Sequence, residues 1–510
     1  MSVKTNTIAN YIGQVYMMLI GIVVTPLYLT HLGAEAYGLV GFFALMQAWM
    51  NLLDLGLSPT LGRQAAYARG QANGFATFKR LVKSFEVIFL VLALIIICAI
   101  YFLSDWIALS WIKSETIKVE TLVYCVVLMG VMIGFRWFAG LYRSGINGLE
   151  YQVWLNTANI ILTSLKFLGA LFLLIFISQD VRHFFEYQLC IGLIELIIFF
   201  LYFYKKLPLT KSRIPFFSFN FNVVRSVAPF ALGVAYTASI WILITQTDKL
   251  ILSTVLTLSE FGFFSLIALL ASGVTMLAGP IAQAIMPRLT MLLAQDRKDE
   301  MLKVYTVSSQ VTVLFIFSLA LIIGLYAEPL IYAWTGDIKA AKWGSDILIW
   351  FALGNGVLSI GAFQYYLQSA FGQLKLHVIG STISAIIQVP LIYYAATNHG
   401  AVGAGMVWFG FRCIWFFVWT PIVHRYFVPG FHLKWLCKDI IPIIITNVIT
   451  SYVLFTFFEF SIDENRLILL IKMIVIGLVL IAITSLSVPV VRNLFIKKYL
   501  LITSLMKGSG

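Results

Sequence analysis

Charged side chains are scarce in this sequence. Asp, Glu, Lys and Arg make up 11% of the 510 residues and hydrophobic residues 61%, whereas soluble domains carry about 25% charged residues. A soluble fold of this length has too small an interior for so much apolar surface, so lipid must cover the remainder. The composition therefore excludes a water-soluble protein and predicts an all-α integral membrane protein.

The sequence also lacks the signatures of enzymes and metal sites. It contains no HExxH, P-loop or GxSxG motif, and its five cysteines form no CxxC pair. The six histidines lie scattered near the ends of apolar segments and form no ligand cluster. The net charge of +13 comes without a basic tract interleaved with aromatic residues, which argues against nucleic acid. We therefore expect no enzyme activity, no metal, no cofactor and no nucleic-acid partner.

Apolar segments long enough to cross a bilayer fill most of the chain. A helical crossing takes about 20 mostly apolar residues, and no hydrophilic stretch is long enough for a separate globular domain. We predict about 14 transmembrane helices, with approximate bounds 8–30, 39–57, 84–104, 121–142, 155–178, 187–204, 226–246, 261–285, 304–326, 345–370, 378–396, 402–423, 439–458 and 467–490.

Basic residues divide unevenly between alternate loops. With the N-terminus placed in the cytoplasm, seven Lys and Arg fall in outside loops and four within spans, so the remaining 24 of the 35 lie inside. Cytoplasmic loops of membrane proteins are enriched in Lys and Arg. The sequence therefore predicts that both termini are cytoplasmic. The seven outside residues are Lys113, Lys118, Arg182, Lys249, Lys339, Lys342 and Arg466.

A short pattern occurs twice. The segments Leu32–Leu39 and Leu256–Phe263 each bring an acidic residue, an aromatic residue and a glycine to the start of a span, and Gly262 follows Gly38 by 224 residues. An even number of spans separates the copies, so both have the same orientation, as in a parallel repeat about an axis along the membrane normal. The repeat predicts two six-helix lobes and two extra C-terminal helices. The domain bounds are 1–207, 208–430 and, with a cytoplasmic tail, 431–510.

Polar residues recur at helical spacing inside two spans. Gln47, Asn51 and Asp54 are four and three residues apart, which places them on one face of a helix. Thr275 and Gln283 belong to a similar stripe in the eighth span, where Thr275 follows Asn51 by 224 residues. Such faces avoid lipid. They meet either neighbouring helices through hydrogen bonds or a wet cavity.

Ionisable residues within the spans are the sharpest functional signal. Arg136 and Arg143 are seven residues apart on span 4 and share a face, while Lys166 and Arg412 lie near the middle of theirs. Charges this deep face a bundle interior or a water-filled cavity, and guanidinium groups match phosphate oxygens. Glu195 on span 6 is placed to pair with Lys166. Both a substrate-binding role and a structural ion pair are open for these residues.

Several motifs in order along the chain carry a family resemblance. Together they resemble the bacterial polysaccharide-export flippases of the Wzx type, over nearly the whole length. The motifs are Asn10-Tyr11-Ile12-Gly13, Leu53-Asp54-Leu55-Gly56-Leu57 followed by Arg63, Gly148-Leu149-Glu150, Gln246-Thr247-Asp248-Lys249, Pro287-Arg288-Leu289 and Gly400-Ala401-Val402-Gly403-Ala404.

The resemblance implies a multidrug/oligosaccharidyl-lipid/polysaccharide exporter fold with a V-shaped cavity and alternating access. It implies that an undecaprenyl-pyrophosphate-linked oligosaccharide, such as an O-antigen unit of lipopolysaccharide, moves from the inner to the outer leaflet of the bacterial cytoplasmic membrane. Coupling to an ion gradient, H+ or Na+, is implied as well. The partners are the lipid-linked oligosaccharide, membrane lipids and the polysaccharide polymerase machinery.

The candidate residues follow from the deep charges and the polar stripes. Arginines in the first span, which related lipid II flippases use, are missing here, so the place of the phosphate site stays open. The substrate-binding candidates are Arg63, Arg136, Arg143, Lys166 and Arg412, and the coupling or cavity candidates are Gln47, Asn51, Asp54, Glu195, Thr275 and Gln283.

Two other functions compete with a flippase. A multidrug exporter of the same fold favours an acidic cavity for cationic drugs, whereas the deep residues here are mostly basic. A membrane glycan polymerase or ligase needs a sizeable external loop for its chemistry, and the sequence has none.

Overall fold

A computed structural model describes residues 3–71, 74–208, 215, 218–489 and 492. These residues form helices joined by short turns, and none of them lies in a β-strand. The cytoplasmic tail predicted beyond the last span lies outside the described residues, as does most of the connection between 208 and 218. The prediction of an all-α membrane protein is confirmed.

The chain divides into two compact units, Met1–Gly262 and Phe263–Gly510. The predicted lobe boundaries at 207 and 430 stay a prediction. The first unit contains α1 (Val3–Leu32), α2 (Ala34–Met50), α3 (Leu57–Arg69), α4 (Gly74–Trp106), α5 (Val119–Gly148), α6 (Gln152–Ser164), α7 (Ala170–Phe176), α8 (Val181–Lys206), α9 (Phe221–Val255) and the start of α10 (Leu258–Ala294). The second contains the rest of α10, then α11 (Lys298–Thr312), α12 (Ser318–Leu325), α13 (Ala327–Thr335), α14 (Ile338–Gly361), α15 (Phe363–Ala370), α16 (Lys375–Phe427), α17 (His432–Lys434), α18 (Ile441–Phe457) and α19 (Arg466–Ser485).

The number of spans matches the prediction once the longest helix is divided. Thirteen helical segments of the described chain are long and apolar enough to cross a membrane. Helix α16 has 53 residues but contains Gly400 at φ 59° and ψ −148°, a conformation open essentially to glycine alone. The halves 375–399 and 401–427 each exceed the roughly 20 residues of one crossing, which brings the count to fourteen.

The second span is not one helix, contrary to the prediction. Helix α2 ends at Met50, and Asn51–Asp54 form a 3-10 turn. Leu55 and Gly56 then adopt left-handed backbone conformations, with φ of 49° and 69°, before α3 begins. A Cβ atom at position 56 would lie 2.3 Å from the carbonyl oxygen of Ala231, so α9 packs directly against the turn. The predicted face of Gln47, Asn51 and Asp54 is therefore broken.

Glycines bring α5 close to its neighbours. A Cβ atom on Gly148 would lie 2.0 Å from the carbonyl oxygen of Gly62 on α3, and one on Gly145 would lie 2.4 Å from the ring of Phe203 on α8. Close approach through small residues is the usual way in which membrane helices pack, because lipid gives helices no hydrophobic reason to associate. Helix α5 is thus held between α3 and α8, and its charged residues face fixed neighbours.

The two copies of the repeated pattern meet within the first unit. A Cβ atom on Gly38 would lie 2.1 Å from the carbonyl oxygen of Leu258, and one on Gly262 would lie 2.4 Å from that of Ala34. Leu258 follows Ala34 by the same 224 residues that separate the glycines. The contact is therefore reciprocal, with each glycine receiving the first turn of the other helix.

Candidate functional site

A buried carboxylate on α8 joins two of the predicted cations. Glu195 is 3% exposed, and its two oxygens accept hydrogen bonds from the Lys166 ammonium and the Arg143 guanidinium. Lys166 lies between α6 and α7, and Arg143 lies on α5, so one carboxylate connects three segments. The predicted pairing of Lys166 with Glu195 is confirmed. The shared use of Glu195 by Arg143 was not predicted.

Arg136 extends this cluster along α5. Its Nη1 donates to Oε1 of Gln47 on α2, and its guanidinium carbon lies 4.9 Å from the centre of the Phe43 ring. Seven residues span about 10 Å along a helix, so Arg136 and Arg143 are two turns apart on one face. Arg136 also interacts electrostatically with Glu195. The structure thus brings together four predicted charged residues and one predicted polar residue, Gln47.

The cluster carries more positive than negative charge. Three cations, Arg136, Arg143 and Lys166, surround one carboxylate, Glu195. With all four ionised the cluster has a net charge of +2, since one of the three positive charges is balanced. Positive charge inside a membrane protein is costly unless an anion, water or a polar partner receives it. The side chain of Arg143 is 44% exposed, so it can exchange its partner for an incoming anion.

Lys166 is held in place through its backbone. It belongs to a π-helical turn, Leu165–Gly169, between α6 and α7. Such turns leave carbonyl groups without the usual helical partner, and side chains supply hydrogen bonds here. The Tyr28 hydroxyl donates to the carbonyls of Lys166 and Phe167 at 3.2 and 2.8 Å. Gln188 donates to the Lys166 carbonyl at 2.9 Å. Helices α1 and α8 therefore fix the ammonium near Glu195.

The other predicted residues of the first unit lie apart from this cluster in their bonding. Asp54 accepts hydrogen bonds from the hydroxyl and backbone nitrogen of Ser58 at 2.6 and 3.3 Å, so it caps the start of α3. Asn51 is exposed in the 3-10 turn. The Arg63 guanidinium carbon lies 4.4 Å from the centre of the Phe230 ring on α9. Asp54 therefore has a local structural task that the spacing did not reveal.

The second unit contains the remaining predicted residues. Arg412 is 6% exposed, and its guanidinium carbon lies 4.3 Å from the centre of the Trp408 ring. The Thr275 hydroxyl donates to the carbonyl of Ser272 on its own helix at 2.8 Å, and Gln283 is exposed on the same helix. Thr275 lies inside a continuous helix whereas Asn51 lies in a turn, so their predicted structural equivalence is wrong.

A second buried charge group in the first unit was not predicted. Lys83 and Glu86 form a salt bridge of 2.9 Å on α4, and the hydroxyls of Tyr142 and Tyr204 both donate to Glu86, at 2.9 and 2.5 Å. The sequence gave Lys83 as one of many basic loop residues, and only the packing of α4, α5 and α8 reveals its partner. The group has no excess charge, since one cation meets one carboxylate.

Two histidines meet in the second unit, contrary to their scatter in the sequence. The Nδ1 atoms of His424 and His432 lie 2.9 Å apart, and Nε2 of His424 lies 2.7 Å from the hydroxyl of Tyr305. Eight residues separate the histidines, and the turn after α16 folds one back onto the other. Across the described part of the chain, no group of three or more His, Cys, Asp and Glu side chains is arranged to hold a metal ion.

Comparisons with known proteins agree with this architecture. Residues 3–293 match the family described as polysaccharide biosynthesis protein. The fold resembles that of the lipid II flippase MurJ in an inward closed conformation, with a TM-score of 0.69 and 17% identity over 96% of this chain and 99% of that chain. It also resembles an inward-facing MATE-family multidrug resistance transporter of the MOP superfamily, with a TM-score of 0.61 and 16% identity over 80% and 95%. No curated protein sequence matches the chain.

Proposed function

This chain belongs to the polysaccharide biosynthesis protein family, and we propose that it moves an undecaprenyl-pyrophosphate-linked oligosaccharide from the inner to the outer leaflet of the bacterial cytoplasmic membrane. The observation that carries this proposal is the excess positive charge of Arg136, Arg143 and Lys166 around Glu195. Both phosphates of the lipid linkage are negatively charged, and they are the part of the substrate that every sugar variant shares.

The four residues have different tasks in this proposal. Arg143 makes first contact, because 44% of its side chain is exposed and its planar fork matches phosphate oxygens. Glu195 holds Arg143 and Lys166 when substrate is absent and gives them up in part when phosphate binds. Arg136 lies two turns further along α5 and receives the anion next. Competition from Glu195 keeps the attraction moderate, so that the pyrophosphate is released again.

The remaining features of transport are part of the same proposal. Both termini are cytoplasmic, as the 24 inside and seven outside basic residues indicate. The two six-helix lobes alternate access, driven by a gradient of H+ or Na+. Arg63 and Arg412 add cationic contacts for the substrate, and the polymerase machinery receives the exported unit. The MurJ likeness supports this class of substrate through the shared fold.

Transport of a lipid-linked sugar by proteoliposomes tests the proposal. Liposomes containing the protein and a polyprenyl-pyrophosphate-linked sugar are assayed for the fraction of sugar exposed at the outer surface. Arg143→Lys should retain partial transport, whereas Arg143→Glu should abolish it because it places two carboxylates against the phosphates. Arg297→Glu is the matched control, since Arg297 forms an exposed ion pair with Glu300 at 2.6 Å.

The outcome also separates the flippase from a multidrug exporter. An exporter of lipophilic cations gains nothing from Arg143 and should keep or increase its efflux of a fluorescent cation in Arg143→Glu. Loss of lipid-linked sugar transport without cation efflux supports the proposal. Efflux of the cation by the wild-type protein together with no movement of the lipid-linked sugar overturns it.

A further inference from the structure

The region that joins α16 to α17 contains a chain of three hydrogen-bonding side chains. It runs from the Tyr305 hydroxyl to Nε2 of His424 and from Nδ1 of His424 to Nδ1 of His432, over 2.7 and 2.9 Å. His424 and Tyr305 are both 0% exposed. We infer that Tyr305, His424 and His432 form a proton-binding site, and that its occupancy controls the turn between α16 and α17.

The hydrogen bonds determine where protons sit in the neutral chain. A neutral imidazole has one donor nitrogen and one acceptor nitrogen. When the Tyr305 hydroxyl donates to Nε2 of His424, that ring carries its hydrogen on Nδ1 and donates to Nδ1 of His432. The ring of His432 then carries its hydrogen on Nε2. Every polar atom between the three side chains has a partner, so the neutral state is complete.

One added proton fits this geometry without movement of the rings. It binds to Nε2 of His424, and the Tyr305 hydroxyl turns to accept the new N–H. His424 then donates from both nitrogens while His432 still accepts at Nδ1. Aromatic rings favour a cation at this position: the His424 ring centre lies 4.9 Å from that of Trp435 and 5.4 Å from that of Phe431.

A second proton does not fit. It would bind to Nδ1 of His432 and place two N–H groups against each other at 2.9 Å, with a positive charge on each ring. Around these rings the titratable and charged groups are Tyr305 and, at the end of α16, Lys298, whose ammonium donates to the Phe427 carbonyl at 3.4 Å. Among the described residues no carboxylate contacts either ring, and the closest acidic residue along the chain, Asp439, accepts instead from Gln310.

The second proton therefore opens the turn. Residues 428–431 connect the two histidines, and the backbone nitrogen of Val428 donates to the His424 carbonyl at 2.8 Å. Separation of the rings pulls on this short connection, which leads from α16 to the last two long helices of the chain. The ligand of the site is the proton, and the response is local opening at 428–431. This inference does not depend on the substrate of the protein.

Two measurements on the full-length protein in phosphatidylcholine nanodiscs test the inference. Histidine-selective 13C labelling gives six Cε1 signals, and single His→Gln variants assign them. Between pH 8.5 and 4.5, where imidazoles titrate, His424 and His432 should titrate as a coupled pair, whereas exposed His399 should titrate alone. Hydrogen exchange at 428–431, corrected for intrinsic rates, should rise about tenfold per pH unit in the acidic limb if one proton drives opening.

Variants separate the proton site from a merely structural contact. His432→Gln removes one of the two charges, so exchange at 428–431 should lose its acid dependence while the protein stays folded. Tyr305→Phe removes the acceptor for the first proton and should shift the titration of His424 to lower pH. His399→Gln is the control and should match wild type. Independent titration of His424 and His432, or acid-insensitive exchange of the turn in wild type, overturns the inference.

Discussion

Gly38 and Gly262 each lie against the first turn of the helix that carries the other. Their Cβ atoms, if present, would meet the carbonyl oxygens of Leu258 and Ala34 at 2.1 and 2.4 Å. The relation between the two contacts is the same as the 224-residue offset between the sequence copies. The short repeat is therefore read out in three dimensions as a reciprocal backbone contact, and glycine is required on both sides.

The Gly38–Gly262 contact makes alanine destabilising at a position where alanine is normally favourable. Gly38→Ala should lower stability by about 1–3 kcal/mol, because the new methyl meets backbone that cannot rotate away. Gly140→Ala is the control, since nothing lies within 4 Å of its added Cβ and alanine stabilises a helix interior by about 0.5–1 kcal/mol. Thermal unfolding in detergent checks both. Equal melting temperatures for the two variants would contradict the contact.

Removal of the shared carboxylate should leave Lys166 as an unpaired, mostly buried cation. Glu195→Gln should destabilise the protein by about 3 kcal/mol, the usual cost of breaking one side of a buried ion pair. The double variant Glu195→Gln/Lys166→Gln should regain part of this loss, because no buried charge is then left alone. Thermal unfolding of the two single variants and the double variant gives the coupling. Additive losses would show that Lys166 and Glu195 act independently.

Asp54 distinguishes a structural cap from a charge that drives transport. Asp54→Asn keeps an oxygen that accepts from Ser58 and should leave stability and transport near wild type. Asp54→Ala loses the cap of α3 and should cost about 1 kcal/mol. Unfolding and the proteoliposome assay are measured on both variants. Transport lost in Asp54→Asn with stability intact would assign the carboxylate a coupling role instead.

The backbone around Lys166 depends on one hydroxyl. Tyr28→Phe removes the donor to two carbonyls of the π-helical turn and should cost about 1–3 kcal/mol, since buried carbonyls lose their partner. Transport should fall as well, because the Lys166 ammonium is no longer held near Glu195. Tyr394→Phe, at a tyrosine that is 66% exposed, should change neither quantity. Unaltered transport in Tyr28→Phe would separate the turn from function.

Depth along the helices was readable from the sequence, and lateral partners were readable only in part. Lys166 and Glu195 could be paired because both lie at similar distances from one end of neighbouring spans. Arg143 was expected to act beside Arg136, yet it shares Glu195, since which side of α5 faces α8 depends on the packing at Gly145. The same holds for His424 and His432, which lie near different span ends and meet only because of a tight turn.

Helix continuity was the other limit. The break after Met50 arises because Leu55 and Gly56 adopt left-handed conformations, and Gly56 packs against the Ala231 carbonyl on another helix. A single sequence shows the glycine but not the helix that presses on it. At Gly400 the opposite occurred: two spans were predicted, and the residue that separates them is a glycine in a conformation other residues avoid.

The π-helical turn at Leu165–Gly169 has a consequence for how relatives are aligned. A π turn holds about one residue more than the 3.6 of an α-helical turn. Deletion of a single residue there would restore a regular helix and rotate everything beyond it by about 100° about the helix axis. Relatives with an uninterrupted helix in this place should therefore align with a one-residue gap, and a lysine that aligns with Lys166 across that gap would point in a different direction.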